Sequence, residues 1–417
     1  RMMEQLGINS EDLDLDELMK QVQRLQGSGG ISFGFTPADR DPEAAWRTTI
    51  AAARRIASEL GPDPELSSGE RLAIVDAERL AQSWLDPATQ FNSSGLPPAA
   101  QRREEWIEAT SAGWRRLVEP IIEGLADALQ RGTAQPEDPQ FAGLSSMLAP
   151  MMRSSASLIY RDRLSKVLAA VAGSTLTGSE VGIALAEDAE VAVLPANVAE
   201  FTRDLDLPDS DVMLYLLLRE AARQRLWLSP QLDALLAHYA REIRIDFEAL
   251  SSQLDIGGEE VSLEDIVAVG EKVRGSFFKP ASTELQLEIL GRLEVLLALI
   301  EGWVDHVTNR AASNWMTNAT QLDEVVRRRR ASAGPTREVF RDLLGLELRP
   351  RLVRDAENLW AALEHRHGPV ERDDVWRHPD MLPTARHLED PLSYVHPSHR
   401  SEDDGDFDAE LRKLLGE

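Results

Sequence analysis

Tyr215-Leu-Leu-Leu-Arg-Glu-Ala-Ala-Arg-Gln-Arg-Leu-Trp227 follows directly on Val212-Met-Leu, so an unbroken apolar run from Val212 to Leu218 leads into two arginines four residues apart. At 3.6 residues per turn, Val212, Tyr215/Leu216, Arg219, Arg223 and Leu226/Trp227 share one helical face. That face is apolar except for Arg219 and Arg223. Guanidinium groups on such a stripe are expected to be at least partly buried, and a buried charge needs an opposite charge beside it. Elsewhere in the chain, Leu293-Glu-Val-Leu-Leu-Ala-Leu-Ile-Glu-Gly-Trp-Val-Asp-His306 supplies one. It is a second strongly apolar helix, with Glu301 and Asp305 at i and i+4 in line with Leu293 and Leu297. The sequence predicts an ion-pair cluster of Arg219 and Arg223 with Glu301 and Asp305.

Arg219-Glu-Ala-Ala-Arg223 has the spacing of HExxH, in which a helix presents two His at i and i+4 to zinc and the Glu after the first His polarises a water. Arginine has no lone pair for a cation and stays protonated, so this helix cannot hold zinc in that manner. Glu220 occupies the position of the base. With two arginines beside it, its pKa is expected to fall, which weakens a general base at neutral pH.

Several blocks in order give the chain a resemblance to a known group of proteins. They are Phe33-Gly-Phe35, Ala77-Glu-Arg-Leu-Ala-Gln-Ser-Trp-Leu85, Trp106-Ile-Glu-Ala-Thr110, Trp114-Arg-Arg-Leu-Val-Glu-Pro120 and Leu194-Pro-Ala-Asn-Val-Ala-Glu-Phe201. Leu216 to Leu226, Glu301-Gly-Trp-Val-Asp305, Leu343-Leu-Gly-Leu-Glu-Leu348 and Val375-Trp-Arg-His-Pro-Asp-Met-Leu-Pro-Thr384 continue the series. The chain resembles the actinobacterial zincin-like proteins labelled zinc-dependent metalloproteases or hydrolases, sometimes as associated with coenzyme F420 biosynthesis. The resemblance implies a mainly α, zincin-like multi-helix domain with a small β element near the former zinc helix. It implies further that Glu220 matches the catalytic Glu, Arg219 and Arg223 the lost ligands, and Glu301 the third zinc ligand. In the gluzincin class an acid four residues on orients a ligand His, the place that Asp305 takes. The motif is degenerate here at both His positions.

The 417 residues are 43% hydrophobic and 28% charged, with a formal charge of −26 and no Cys. No apolar stretch spans a membrane, and disulfides, thiolate metal sites and Cys nucleophiles are excluded. The negative charge argues against nucleic acid and anionic lipid as partners, and the expected location is the cytoplasm. Arg327-Arg-Arg-Arg330 reads as a solvated helix end rather than a docking patch.

Three regions are expected: an arm with an amphipathic helix near 12–25 and a Gly27–Gly30 linker (1–40), the helical domain (41–395), and an acidic tail (396–417). Helices are predicted from Pro42 to about Leu60, after Ser67, over 100–131 with Trp106 and Trp114 in the core, from Pro195 to about Leu205, after Leu207-Pro-Asp-Ser-Asp211, from Pro230 to about Ile243, and from Ser282 or Thr283 to near Asn309. Met147, Met151 and Met152 read as gap-fillers. Glu190-Val-Ala-Val-Leu194 is the best strand, placed where zincins align substrate backbone by edge pairing. His238 has no ligand spacing; His365 and His367 are expected in a turn beside Gly368-Pro369, and His378, His387, His396 and His399 among Pro-rich loops, all scattered without a repeated i, i+4 pair. His306, adjacent to Asp305, points about 100° away from it.

The leading functional expectation is therefore a catalytically inactive, pseudo-metallopeptidase protein that serves as a scaffold or protein-binding module. It carries no cofactor and binds a protein partner or a second copy. The alternative is a zinc-dependent metallopeptidase or hydrolase with an atypical metal site.

Overall fold

The computed structural model describes residues 41–133, 157–158, 160–186, 190–226, 238, 284–333, 339 and 350–395. The arm, the Met147–Met152 stretch, the bulk of the helix expected around His238, the Leu343 block, the acidic tail, His396 and His399 lie outside the described residues.

By packing, the chain divides into two units at Thr48–Thr49. Of the first, residues 41–48 are described. They open helix α1 (Pro42–Ser58), with Pro42 at the first helical position and the Asp41 carboxylate accepting from the Glu43 backbone N–H at 3.0 Å. All that follows concerns the second unit, Thr49–Glu417.

Helix α2 (Ser68–Leu85) starts where a capping box closes it: Ser67 accepts from the Glu70 N–H while Glu70 reaches back to the Ser67 N–H. It buries Ile74, Ala81, Trp84 and Leu85. Strand β1 (Ala99–Ala100) precedes α3 (Arg103–Ala109) and α4 (Ser111–Thr133), and Trp106 and Trp114 are fully buried with their rings edge-on at 6.3 Å. Residues 160–174 form α5. Then come β2 (Ala192–Val193), α6 (Pro195–Thr202), α7 (Asp209–Arg225), α8 (Glu284–Ala312), α9 (Ala319–Ala333), α10 (Pro350–His367), α11 (Pro369–Asp374), α12 (Ala385–Glu389) and α13 (Pro391–Val395).

The core is built on α7 and α8. Helix α7 packs against α2 and α8, and α8 lies along α10 in the most extensive helix pairing among the described residues. That pairing needs Gly302: a Cβ there would stand 2.7 Å from the Ala356 Cβ and 2.7 Å from the Glu357 backbone N, so any side chain would push α8 and α10 apart. The C-terminal end of α7 is tied to α2 by Arg225, which donates to the Gln82 side chain, to Asp86 at 2.7 Å and to the Phe91 carbonyl.

Three expectations change. Helix α7 starts within the Leu207–Asp211 segment rather than after it: Pro208 is the cap residue, without a side-chain cap bond, and Asp209 and Asp211 meet the helix N-terminus within the first turn. Helix α8 continues to Ala312, three residues past Asn309. His365 and His367 lie in the last turn of α10 rather than in the turn at Gly368, whose φ of 94° ends that helix.

Candidate functional site

Helix α7 buries nearly its whole circumference from Tyr215 to Arg223, including Arg219, Glu220 and Arg223. Its charged stripe faces Glu301 and Asp305 on α8. Arg219 Nη1 donates to Asp305 Oδ1 at 2.5 Å, and its Nη2 stands 3.3 Å from Glu301 Oε2. Arg223 forks onto both Glu301 oxygens, from Nε at 3.0 Å and Nη2 at 3.3 Å, and its Nη1 donates to Glu220 Oε2 at 3.2 Å.

A third cation comes from α9. Arg330 donates from Nη1 to Glu301 Oε2 at 3.0 Å and from Nη2 to Asp305 Oδ2 at 2.7 Å. The Arg327–Arg330 run is thus no solvated helix end. Arg327 pairs with Asp323 and Glu357, Arg329 with Glu180 and the face of the Phe201 ring, and only Arg328 of the four stays mostly in solvent. Three arginines and three carboxylates therefore make a cluster with no formal net charge.

Glu220 is fully buried and saturated. Besides Arg223, it accepts from the Ser179 backbone N–H at 3.0 Å, the Ser179 hydroxyl at 2.9 Å and Gln224 Nε2 at 2.9 Å. Ser179 sits in the turn after α5, held against β2 because Gly178 has no side chain; a Cβ there would lie 2.7 Å from the Ala192 Cβ. Beside Glu220 is a small recess lined by Gln101, Trp106, Thr110, Ser179, Glu190 and Gln224, which Glu220 itself does not line.

The strand expected over residues 190–194 is confined to Ala192–Val193 and is paired on both sides. β1 runs parallel to it, with the Ala99 N–H donating to the Val191 carbonyl and the Gln101 N–H to the Val193 carbonyl. Opposite, the Gly178 N–H donates to the Ala192 carbonyl and the Leu194 N–H to the Leu176 carbonyl. β2 accordingly has no open edge for an extended substrate.

The charge balance fixes the protonation states. Burial by itself raises the Asp305 carboxyl, but Arg330 and then Arg219 outweigh it and hold it at about 2. Burial opposes ionised Glu301 likewise, and Arg223, Arg330 and Arg219 keep it below its usual range. The same acids raise Arg219 against its own burial. At neutral pH Asp305, Glu301 and Arg219 are therefore charged.

His306 turns away from this cluster. Its Nε2 lies 2.7 Å from Glu364 Oε2, yet Glu364 is already shared by Arg310 and Arg372. Burial first, then Arg372, lowers the His306 pKa to about 4 against the opposing pull of Glu357 and Asp373. An unfolded chain has its His near 6.5. Between those values the unfolded state binds the extra proton, so folding stability falls as pH drops from 6.5 to 4. The full effect is about 3 kcal/mol. Urea melts across this interval should show that slope, and His306→Asn should flatten it. Asp305 acts in a separate window: its contribution is present above 3.8 and lost as pH falls towards 2.

A helix with the register of HExxH crossed by a helix carrying an acid pair defines a zincin-like framework. The chain belongs to the zincin-like metallopeptidase family, whose model matches residues 45–395. A crystal structure described as "a putative hydrolase with a novel fold", from Chloroflexus aurantiacus, is similar with a TM-score of 0.56 and 19% identity, covering 85% of this chain and 99% of that one. That likeness is one of fold. The comparison with curated proteins gives no match.

The zinc that the family implies does not fit the residues present. Arg219 and Arg223, at the i and i+4 spacing of the two His in HExxH, carry guanidinium groups without a lone pair, and both oxygens of Glu220, Glu301 and Asp305 already accept hydrogen bonds. Among the described residues, no group of three or more His, Cys, Asp or Glu is arranged to hold a metal. Among them, too, no helix is long and apolar enough to cross a membrane.

Proposed function

We propose that this protein has kept the zincin-like framework without the peptidase chemistry, and that it works as a scaffold or binding module for a protein partner or a second copy of itself. The observation that carries the reading is the six-residue cluster: two arginines at the i and i+4 spacing of the HExxH histidines, with a third, balance three buried carboxylates without a divalent cation. Glu220 supports it, because a general base must reach the water it activates within about 3 Å and this one is sealed behind Ser179, Gln224 and Arg223. The doubly paired β2 supports it as well, since peptide substrates need a strand edge to align on.

Elemental analysis of protein purified without chelators is expected to give far less than one zinc per chain, with no cleavage of a mixed peptide library before or after zinc addition. Stoichiometric zinc that survives dialysis, together with cleavage that a chelator stops, overturns the proposal in favour of a hydrolase with an atypical metal site.

A further inference from the structure

Helix α9 is docked in an unusual way. Of its described side chains only Ala319 and Leu322 are buried, whereas three of its arginines reach acids on other segments: Arg327 to Glu357, Arg329 to Glu180, and Arg330 to Glu301 and Asp305. Arg330 is also the one member of the central cluster with substantial solvent access, its side chain 20% exposed while the other five lie between 0 and 9%. It reaches the two acids from the solvent-facing side of the cluster. One planar guanidinium there spans two carboxylates, Nη1 on Glu301 and Nη2 on Asp305. An ammonium, a point donor without that fork, matches such a pair of acceptors poorly. With Arg330 withdrawn, Arg219 and Arg223 face Glu220, Glu301 and Asp305, and the pocket is left one charge negative.

We propose that α9 is a releasable strap, that Glu301 and Asp305 form a guanidinium site which Arg330 fills in cis, and that an arginine side chain of a partner protein takes this site when the strap lifts. The inference rests on the binding-module reading and gives the partner's chemistry. The pairs that dock α9 are partly buried, so salt screens each of them less than an exposed pair, but several weakened together still loosen the segment, whereas apolar packing is not screened.

The strap is tested on the wild-type protein. Hydrogen exchange of residues 319–333 should speed up about tenfold between 0.05 and 1 M NaCl, with α8 and α10 unchanged. Exchange in α9 that needs global unfolding at both salt concentrations overturns the release. The site is tested with Arg330→Ala: methylguanidinium and N-acetyl-argininamide at tens of millimolar should restore at least about half of the lost melting temperature, as expected for a ligand that binds only the native state. Methylammonium, N-acetyl-lysinamide and NaCl at equal ionic strength should not. Equal recovery with every salt, or recovery with none, overturns the guanidinium site. Zinc content and peptide cleavage are read separately on the wild-type protein: a metal-free, inactive wild type whose Arg330→Ala variant shows no rescue refutes this inference alone, whereas stoichiometric zinc with cleavage that a chelator stops refutes the proposed function itself.

Discussion

Glu301→Ala is expected to cost about 3–5 kcal/mol of folding stability, because it removes the acceptor that three guanidinium groups share in a buried setting. What remains is Arg219, Arg223 and Arg330 against Asp305 and Glu220, an excess positive charge inside the protein. The melting temperature should fall by about 3–6 °C. Arg223→Ala should lower it by less, since Glu301 keeps Arg219 and Arg330, and Glu220 keeps Ser179 and Gln224. Two companions separate charge from packing. Glu301→Gln preserves volume and should lose most of the stability that Ala loses. Combining Glu301→Leu with Arg223→Met removes one charge of each sign, and buried ion pairs replaced as a pair by apolar groups are often neutral. If Gln is tolerated while Ala is not, the cluster is held by packing and its electrical balance is incidental. If the paired replacement is no better than Glu301→Ala alone, the charge argument fails.

The helical face that brings Arg219 and Arg223 to Glu301 and Asp305 can be read from the chain because two physical rules act together. Periodicity puts each pair on an apolar stripe, and burial obliges unlike charges to meet. Arg330 escaped the same reasoning. A run of four arginines has no apolar stripe of its own, and an acidic chain offers many solvated partners, so nothing local marks Arg330 as the residue that turns inward. The weak signal was spacing, with Arg327 and Arg330 three apart and the acids Asp323 and Glu324 one turn before. Ser179 was further out of reach. Its contact with Glu220 spans 41 residues and is set by how the Leu176–Gly182 turn folds against β2, information that pairing creates and local sequence does not hold. Gln224, one helical turn after Glu220, was open to inspection. The strand at Glu190–Leu194 was marked by its β-branched residues, but propensity says nothing of how many neighbours a strand acquires. Trp106 and Trp114 are legible directly, because large aromatic rings at helical spacing are usually core, and both are fully buried.

A second buried network gives a change of comparable size. Asp373 is fully buried and every group around it is a donor: Trp303 Nε1 at 2.9 Å and Arg372 Nε at 2.7 Å on one oxygen, Thr89 Oγ1 at 2.6 Å and the Gln90 backbone N–H at 2.9 Å on the other. These partners come from the segment after α2, from α8 and from α11. Asp373→Ala strands an Arg372 side chain with no solvent exposure, leaving it Glu364, which Arg310 and His306 already occupy, and the Ala88 carbonyl. The cost should again be about 3–5 kcal/mol. Asp373→Asn should recover little, because on either side an amide NH2 would meet an N–H that can only donate: Trp303 Nε1 and Arg372 Nε on one, the Gln90 backbone N–H on the other. Asp374→Asn is the control: Asp374 is partly exposed and bonded to Gln90 and Arg377, and its loss should stay within about 1 kcal/mol. The consequence reaches the central cluster through Trp303. That residue lies between Glu301 and Asp305 on α8, and its indole N–H on Asp373 holds the opposite face of the helix, fixing the rotation that aims both acids at α7. Urea melts followed by tryptophan fluorescence report the stability. If Asp373→Ala proves as mild as Asp374→Asn, the buried donors around Asp373 have found other acceptors, and the rotation of α8 is set by Gly302 and its apolar neighbours alone.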